Sequence, residues 1–216
     1  MKIKTAILIV TIFILASVMC LRLAYADPYS ADSMWIDPSE IDITEMSVGD
    51  KFNVTVWLNV TEDCGAWQFY LIYNKEYLNV TRYGLTGTGG AKSEFFENSG
   101  SSTFFPTPSM GAYNDTHNYI LIGESWLGGP FGTGCGSLAW VEFEILAKPP
   151  INVVLDIASA HHPPTSDTLA LDSSQEEIPL NVYNAIVIPE FQVLILIIFL
   201  GLLSAVFIVY KKKIKI

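Results

Sequence analysis

Positive charge is scarce along most of this chain. Between Asp27 and Glu190 the only bases are Lys51, Lys75, Arg82, Lys92 and Lys148, against all 22 acids, a net of −17 for that stretch. A surface this acidic repels a phosphate backbone, which argues against a nucleic-acid partner. Histidine is rarer still, with 3 residues, which gives a Ser-His-Asp triad little to draw on. Neither a Gly-x-Ser-x-Gly elbow nor a His-Glu-x-x-His helix occurs. A carboxylate pair of the glycosidase kind needs two acids singled out from the rest, and nothing in the sequence selects two of the 22. The chain is therefore not expected to be an enzyme.

Metal and cofactor signals are missing too. No segment has the alternating Asp/Asn spacing of a calcium loop, and Cys64, Cys135 and His161-His162 have no ligand spacing. The glycine-rich stretches 84–90 and 128–136 lack the Lys-Ser/Thr ending and following helix of a phosphate cradle, so they read as long loops. No cofactor is expected. Cysteine is limited to Cys20, Cys64 and Cys135. In an oxidising exterior the last two read by default as one disulfide. Closing a loop of about 70 residues, it would contribute roughly 4 kcal/mol. Two free thiols are the alternative.

Both ends differ from the middle. Met1-Lys2-Ile3-Lys4, an apolar run over 6–18 and the small-x-small site Ala24-Tyr25-Ala26 read as a signal peptide over 1–26, with an uncleaved membrane helix as the alternative. Val18-Met19 fits poorly before a lipoprotein cysteine at Cys20. At the other end, Pro189-Glu190-Phe191 opens about 20 uncharged residues reaching Tyr210, long enough to cross the hydrocarbon core as a helix. The tail 211–216, with Lys211, Lys212, Lys213 and Lys215, belongs in the cytoplasm by the positive-inside rule. The expected organisation is a signal peptide over 1–26, an extracellular domain over 27–188, a membrane helix over 189–210 and a basic tail, all in a single-pass cell-membrane protein.

A helical period is absent throughout 27–188; the period is two. Phe52, Val54, Val56, Leu58 and Val60 alternate with Asn53, Thr55, Trp57 and Asn59. Trp67, Phe69, Leu71 and Tyr73 alternate with Gln68 and Tyr70, and Ala139, Val141, Phe143 and Ile145 with Trp140, Glu142 and Glu144. Turn signals such as Gly49-Asp50, Gly128-Gly129-Pro130 and Pro149-Pro150 separate many short strands, which predicts an all-β sandwich in one domain. Four sequons, at Asn53, Asn59, Asn79 and Asn114, are glycan acceptors on an extracellular chain.

Several pieces in order resemble the cohesin family in its archaeal cell-surface form. They are Val48-Gly49-Asp50-Lys51-Phe52, Cys64-Gly65-Ala66-Trp67-Gln68-Phe69 leading to Tyr73-Asn74-Lys75-Glu76-Tyr77-Leu78, and 132–139 entering a strand that ends Phe143-Glu144-Ile145. A turn over 172–179 before the last strand completes the match, which covers most of 36–188. The resemblance implies a nine-stranded jelly-roll related to carbohydrate-binding modules, one that binds partners without doing chemistry. It implies a dockerin-like protein partner, or a polysaccharide. Ala66 and Gln68 stand where dockerin-binding members carry polar recognition residues, so the chain departs from the pattern there. The C-terminus similarly resembles an archaeal sorting signal, Pro189-Glu190-Phe191 plus helix and basic tail, which implies removal of the tail and attachment of a lipid; a retained helix is the alternative.

Four residues stand out as partner or glycan contacts. Trp57 and Trp140 fall on the polar faces of their strands, where an indole stacks on a sugar ring or anchors a protein. Gln68 and Tyr70 lie on the face that cohesins use for partners. A structural envelope glycoprotein with no specific ligand is the competing reading; it predicts Trp57, Trp140 and Tyr70 buried under loops.

Overall fold

The computed structural model describes residues 31–157 and 168–189. The expected signal peptide, Glu190 and Phe191 of the expected sorting motif, the expected membrane helix, the basic tail and His161-His162 lie outside the described residues. Among the described residues no helix is long and apolar enough to cross a membrane.

Alternation does most of the folding. In strand β3 (Lys51–Asn74), Val54, Val56, Leu58 and Val60 are buried, and so, further along, are Trp67, Phe69, Leu71 and Tyr73. The expected strands over 51–60 and 66–73 are thus one continuous strand. It passes from one layer to the other at the exposed Thr61-Glu62-Asp63, where the register slips between Val60 and Cys64. Its first half pairs with β1 (Ser33–Asp37) and β8 (Gly132–Ile145). Beyond these, β12 (Asn181–Tyr183) lies parallel to β1, and β4 (Leu78–Leu85) pairs with β8. This is layer I.

The second half of β3 pairs with β7 (His117–Gly128) and β10 (Leu169–Asp172), which extend to β6 (Ser109–Ala112), β5 (Ser102–Phe104) and β11 (Glu177–Ile178). A small sheet of β2 (Glu40–Asp42), β13 (Ala185–Ile188) and β9 (Val153–Leu155) joins this layer II through a bridge between Ile72 and Asp156. The inner faces share one apolar core. The all-β sandwich is as expected. The strand count is thirteen among the described residues rather than nine, the surplus being short segments of two or three residues such as β5, β9 and β11.

Three expectations need correction. A short helix, α1 (Glu94–Ser99), is present although no helical period announced it. Six residues are too few to display a period; local chemistry makes the helix. The Ser93 hydroxyl accepts from the Phe96 N–H (3.3 Å) and Gly100 ends it at φ 77°. Phe95 and Phe96 are buried, closing one end of the sandwich.

The stretch 128–136 is not one long loop, because β8 begins at Gly132. Gly132 and Gly136 are glycines because Phe95 lies against them: a Cβ there would sit 2.2 Å and 2.7 Å from Phe95 atoms.

Finally, Cys64 and Cys135 are free. Cys64 is opposite Gly132 and points inward, its Sγ donating to the Ala66 carbonyl (3.2 Å), whereas Cys135 is opposite Asn59 on the outward side. The two thiols leave the same pair of strands in opposite directions. Burial pushes the Cys64 thiol up to about 12, so it stays protonated. A reducing agent is accordingly expected to move the melting temperature by less than about 1 °C, checked by calorimetry; a closed bridge of roughly 4 kcal/mol would shift it by about 10 °C or more.

Candidate functional site

The four residues singled out do not form one site. Register divides them between the two outer faces. Trp57 and Trp140 lie outside layer I, Gln68 and Tyr70 outside layer II.

Layer I presents aromatic rings that are already engaged. Trp57 pairs across the strands with Trp35 and stacks on it, centroids 6.2 Å apart and planes within 12°. Trp35 in turn is beside Tyr183 of β12. The Trp57 indole N–H is buried with no partner. Trp140 is half-buried, with the Arg82 guanidinium 5.7 Å over its ring and Gly84 beneath, where a Cβ would lie 3.0 Å from the indole.

Charge surrounds these rings. Lys51 pairs with Glu142 at 3.1 Å, and the Thr81 hydroxyl donates to the same carboxylate at 2.6 Å. Those hydrogen bonds, Thr81 first and Lys51 second, hold the Glu142 carboxyl below the usual range. Thr88 does the same for Glu97, and Thr44 for Asp42.

A carboxyl whose folded pKa is lowered gives stability that is present above its unfolded pKa and lost as pH falls through the folded value. Melting temperature should therefore be flat from neutral pH down to about 5. It should decline once pH passes below the ordinary 4.5 of Glu and 3.8 of Asp. Calorimetry between pH 3 and 7 checks this, and Glu142→Gln should remove part of the slope.

Three sequons share this face or its strands. Asn53 and Asn59 share the outward face of β3 with Trp57, and Asn79 pairs with Glu144. Asn114 is elsewhere, in the turn between β6 and β7, where its Oδ1 accepts from the Thr116 N–H (2.9 Å) and hydroxyl (3.1 Å).

The outer face of layer II is different. Along β3 it shows Ala66, Gln68 and Tyr70, along β7 Tyr119, Leu121, Gly123, Ser125 and Leu127, and along β10 Leu169 and Leu171. Phe104 of β5 joins opposite Ser125. None of these positions is charged; the charge on this face is at its edge, on Glu177 of β11 opposite Leu171. Leu127 is 65% exposed and Phe104 56%. Tyr70 and Tyr119 make a tilted pair at 5.0 Å, and the Tyr119 ring lies over Gly111, where a Cβ would meet it at 3.2 Å. The backbone beneath is rigid: β3 and β7 pair without interruption from Ala66–Ser125 to Asn74–His117, and the Tyr70 N–H donates to the Thr168 hydroxyl at 3.2 Å.

Sequence reasoning found Gln68 and Tyr70 and missed Tyr119, Leu121, Leu127 and Leu169. The run Tyr119-Ile120-Leu121-Ile122 is apolar at every position, so its period could not tell the core side from the solvent side. Only the pairing of Tyr70 with Leu121 does.

A buried carboxylate fixes the nearby end of the sandwich. Glu124, 2% exposed, accepts from the Ser93 N–H (3.1 Å) and the Thr103 hydroxyl (2.6 Å), tying β5 and the start of α1 to β7. Both contacts belong to structure. Among the described residues no group of three His, Cys, Asp or Glu side chains is arranged to hold a metal.

No family model matches the chain, and no curated protein does. Solved structures with a similar course of chain are cohesins. One is a non-cellulosomal cohesin from the hyperthermophilic archaeon Archaeoglobus fulgidus, at 13% identity, covering 74% of this chain and 91% of that one, TM-score 0.46. A second is the cohesin module of a Clostridium perfringens family 33 glycoside hydrolase, at 13%, 74%, 97% and 0.49. A third is the sixth cohesin of Acetivibrio cellulolyticus scaffoldin B, solved with a mutant Cel5 dockerin, at 16%, 74%, 100% and 0.46. No residue role is carried over from them.

Proposed function

We propose that this chain is a non-catalytic docking module that holds a protein partner, dockerin-like in being a separate folded domain, through the outer face of layer II. One observation carries the reading: a contiguous face whose centre is uncharged, built on Tyr70, Tyr119, Leu121, Leu127 and Phe104 with Glu177 only at its β11 edge, on a stretch whose net charge is −17. Depletion of charge with enrichment of aromatics marks the centre of protein interfaces. A solvated sheet face alternates polar residues instead. The rigid two-strand base supports the same reading, since a preformed face binds without a large ordering cost.

The polysaccharide reading is less favoured. It needs open indole faces, whereas Trp57 is stacked on Trp35 and Trp140 is capped by Arg82. The reading places the module outside the cell, tethered by the C-terminal apolar segment, either retained as a helix or exchanged for a lipid. The test is capture: the immobilised chain should retain a protein from surface extracts, and Leu121→Asp should release it. Equal retention by the variant would refute the docking face.

A further inference from the structure

The turns at one end of the sandwich carry a second feature. The β2–β3 turn meets the β8–β9 connection through the Gly49 N–H to Ile145 carbonyl bond (2.8 Å) and the Lys148 Nζ to Thr44 carbonyl bond (2.8 Å). The β3–β4 turn joins them through the Leu146 N–H to the Tyr77 carbonyl (2.8 Å), and the chain exit through the Ile43 N–H to the Ile188 carbonyl (3.0 Å). Val48, Leu146 and Ile151 project from this end, 63%, 44% and 69% exposed. Three large aliphatic side chains at the tips of turns contribute nothing to the core, and turns ordinarily carry polar residues. Lys51, Lys75 and Lys148 are also here, three of the five bases between Asp27 and Glu190.

We propose that this end of the domain rests on the lipid surface, with Val48, Leu146 and Ile151 entering the headgroup region and Lys75 and Lys148 meeting lipid phosphates. The inference rests on the C-terminal anchor of the proposed function. Pro189 follows Ile188 at this end, and the uncharged run begins two residues later at Phe191. At roughly 3.5 Å per extended residue, Ile188 is held within about 10 Å of the start of that run.

Charge also distinguishes the two ends. Asp32, Glu62, Asp63, Asp172, Glu176 and Glu177 gather at the other end, around the Thr61–Asp32 bonds and the Cys64–Asp172 pairing; the base at that end, Lys92, is bonded to the Ser101 carbonyl (2.9 Å) beside the β7–β8 turn. An anionic surface turns that end away. Asp42, Glu45, Asp50, Glu76 and Asp115 lie at the near end. The contact therefore depends on the apolar tips and their lysines, not on net positive charge.

The test uses the full chain, in a Cys20→Ser, Cys135→Ser background, reconstituted into vesicles of three parts phosphatidylcholine to one part phosphatidylglycerol with a headgroup-nitroxide lipid. An environment-sensitive fluorophore is placed through Val48→Cys, Ile151→Cys or Glu62→Cys. Quenching at 48 and 151 is expected to exceed that at 62 at least twofold; equal quenching at all three overturns the proposal. Flotation separates the two claims. A chain that fails to float with the vesicles overturns the anchor and this inference together. One that floats with equal quenching overturns this inference alone. Val48→Asp with Ile151→Asp, both on exposed turns, should halve the quenching of a reporter at Leu146→Cys while leaving the circular dichroism unchanged; unaltered quenching counts against the contact.

Discussion

Phe95→Ala is expected to lower the stability of the domain by about 3–5 kcal/mol, and its melting temperature by roughly 10 °C, read by calorimetry. Phe95 is 2% exposed, packs edge-on against Phe96 at 5.2 Å and fills the space left by Gly132 and Gly136. Removing the ring leaves a cavity lined on one side by β8 backbone, which cannot collapse without breaking its ladder to β3. The reverse change is informative as well. Gly136→Ala drives a Cβ to 2.7 Å from the Phe95 backbone, so α1 itself has to move. That overpacking costs about 1–3 kcal/mol. At Gly132 the nearest atoms belong to the Phe95 ring instead. Gly132→Ala combined with Phe95→Ala should therefore be less damaging than the two single effects added, because the alanine methyl partly fills the cavity. Additive costs would mean that the ring and the glycine do not share that space.

Leu121→Asp and Tyr70→Ala should abolish or severely weaken partner binding while leaving the fold intact. Both side chains point out of layer II and pair across β3 and β7, at the centre of the uncharged face. A carboxylate at 121 would be desolvated without a partner in the complex, and loss of an aromatic hot spot typically costs about 2 kcal/mol or more, roughly 30-fold in affinity. The melting temperature should change by no more than a few degrees, since neither side chain is in the core. Trp57→Ala gives the opposite pattern, losing stability through the stack with Trp35 and leaving binding unaffected.

Much of this architecture was legible from alternation. Val54, Val56, Leu58 and Val60, and likewise Trp67, Phe69 and Leu71, point inward as their period of two required, because a strand with one buried face leaves little freedom in register. What alternation could not supply was long-range pairing. That Trp57 and Tyr70, thirteen residues apart on one strand, face opposite sides of the molecule follows from β3 changing layers at Thr61–Asp63. The same change of layer explains the missing disulfide. Cys64 and Cys135 looked compatible in number and compartment, yet the register turns one thiol into the core and the other to solvent. The helix α1 was hidden for another reason. Its two aromatics and its caps occupy 93–100, within a stretch whose glycines and serines read as loop.

Isothermal titration of the captured partner against three forms of the chain tests the central claim most directly. Wild type and Trp140→Ala should bind with the same affinity, and Leu121→Asp should bind at least 30-fold more weakly or not at all. Undiminished binding by Leu121→Asp together with loss in Trp140→Ala would contradict the account and move the docking face to layer I.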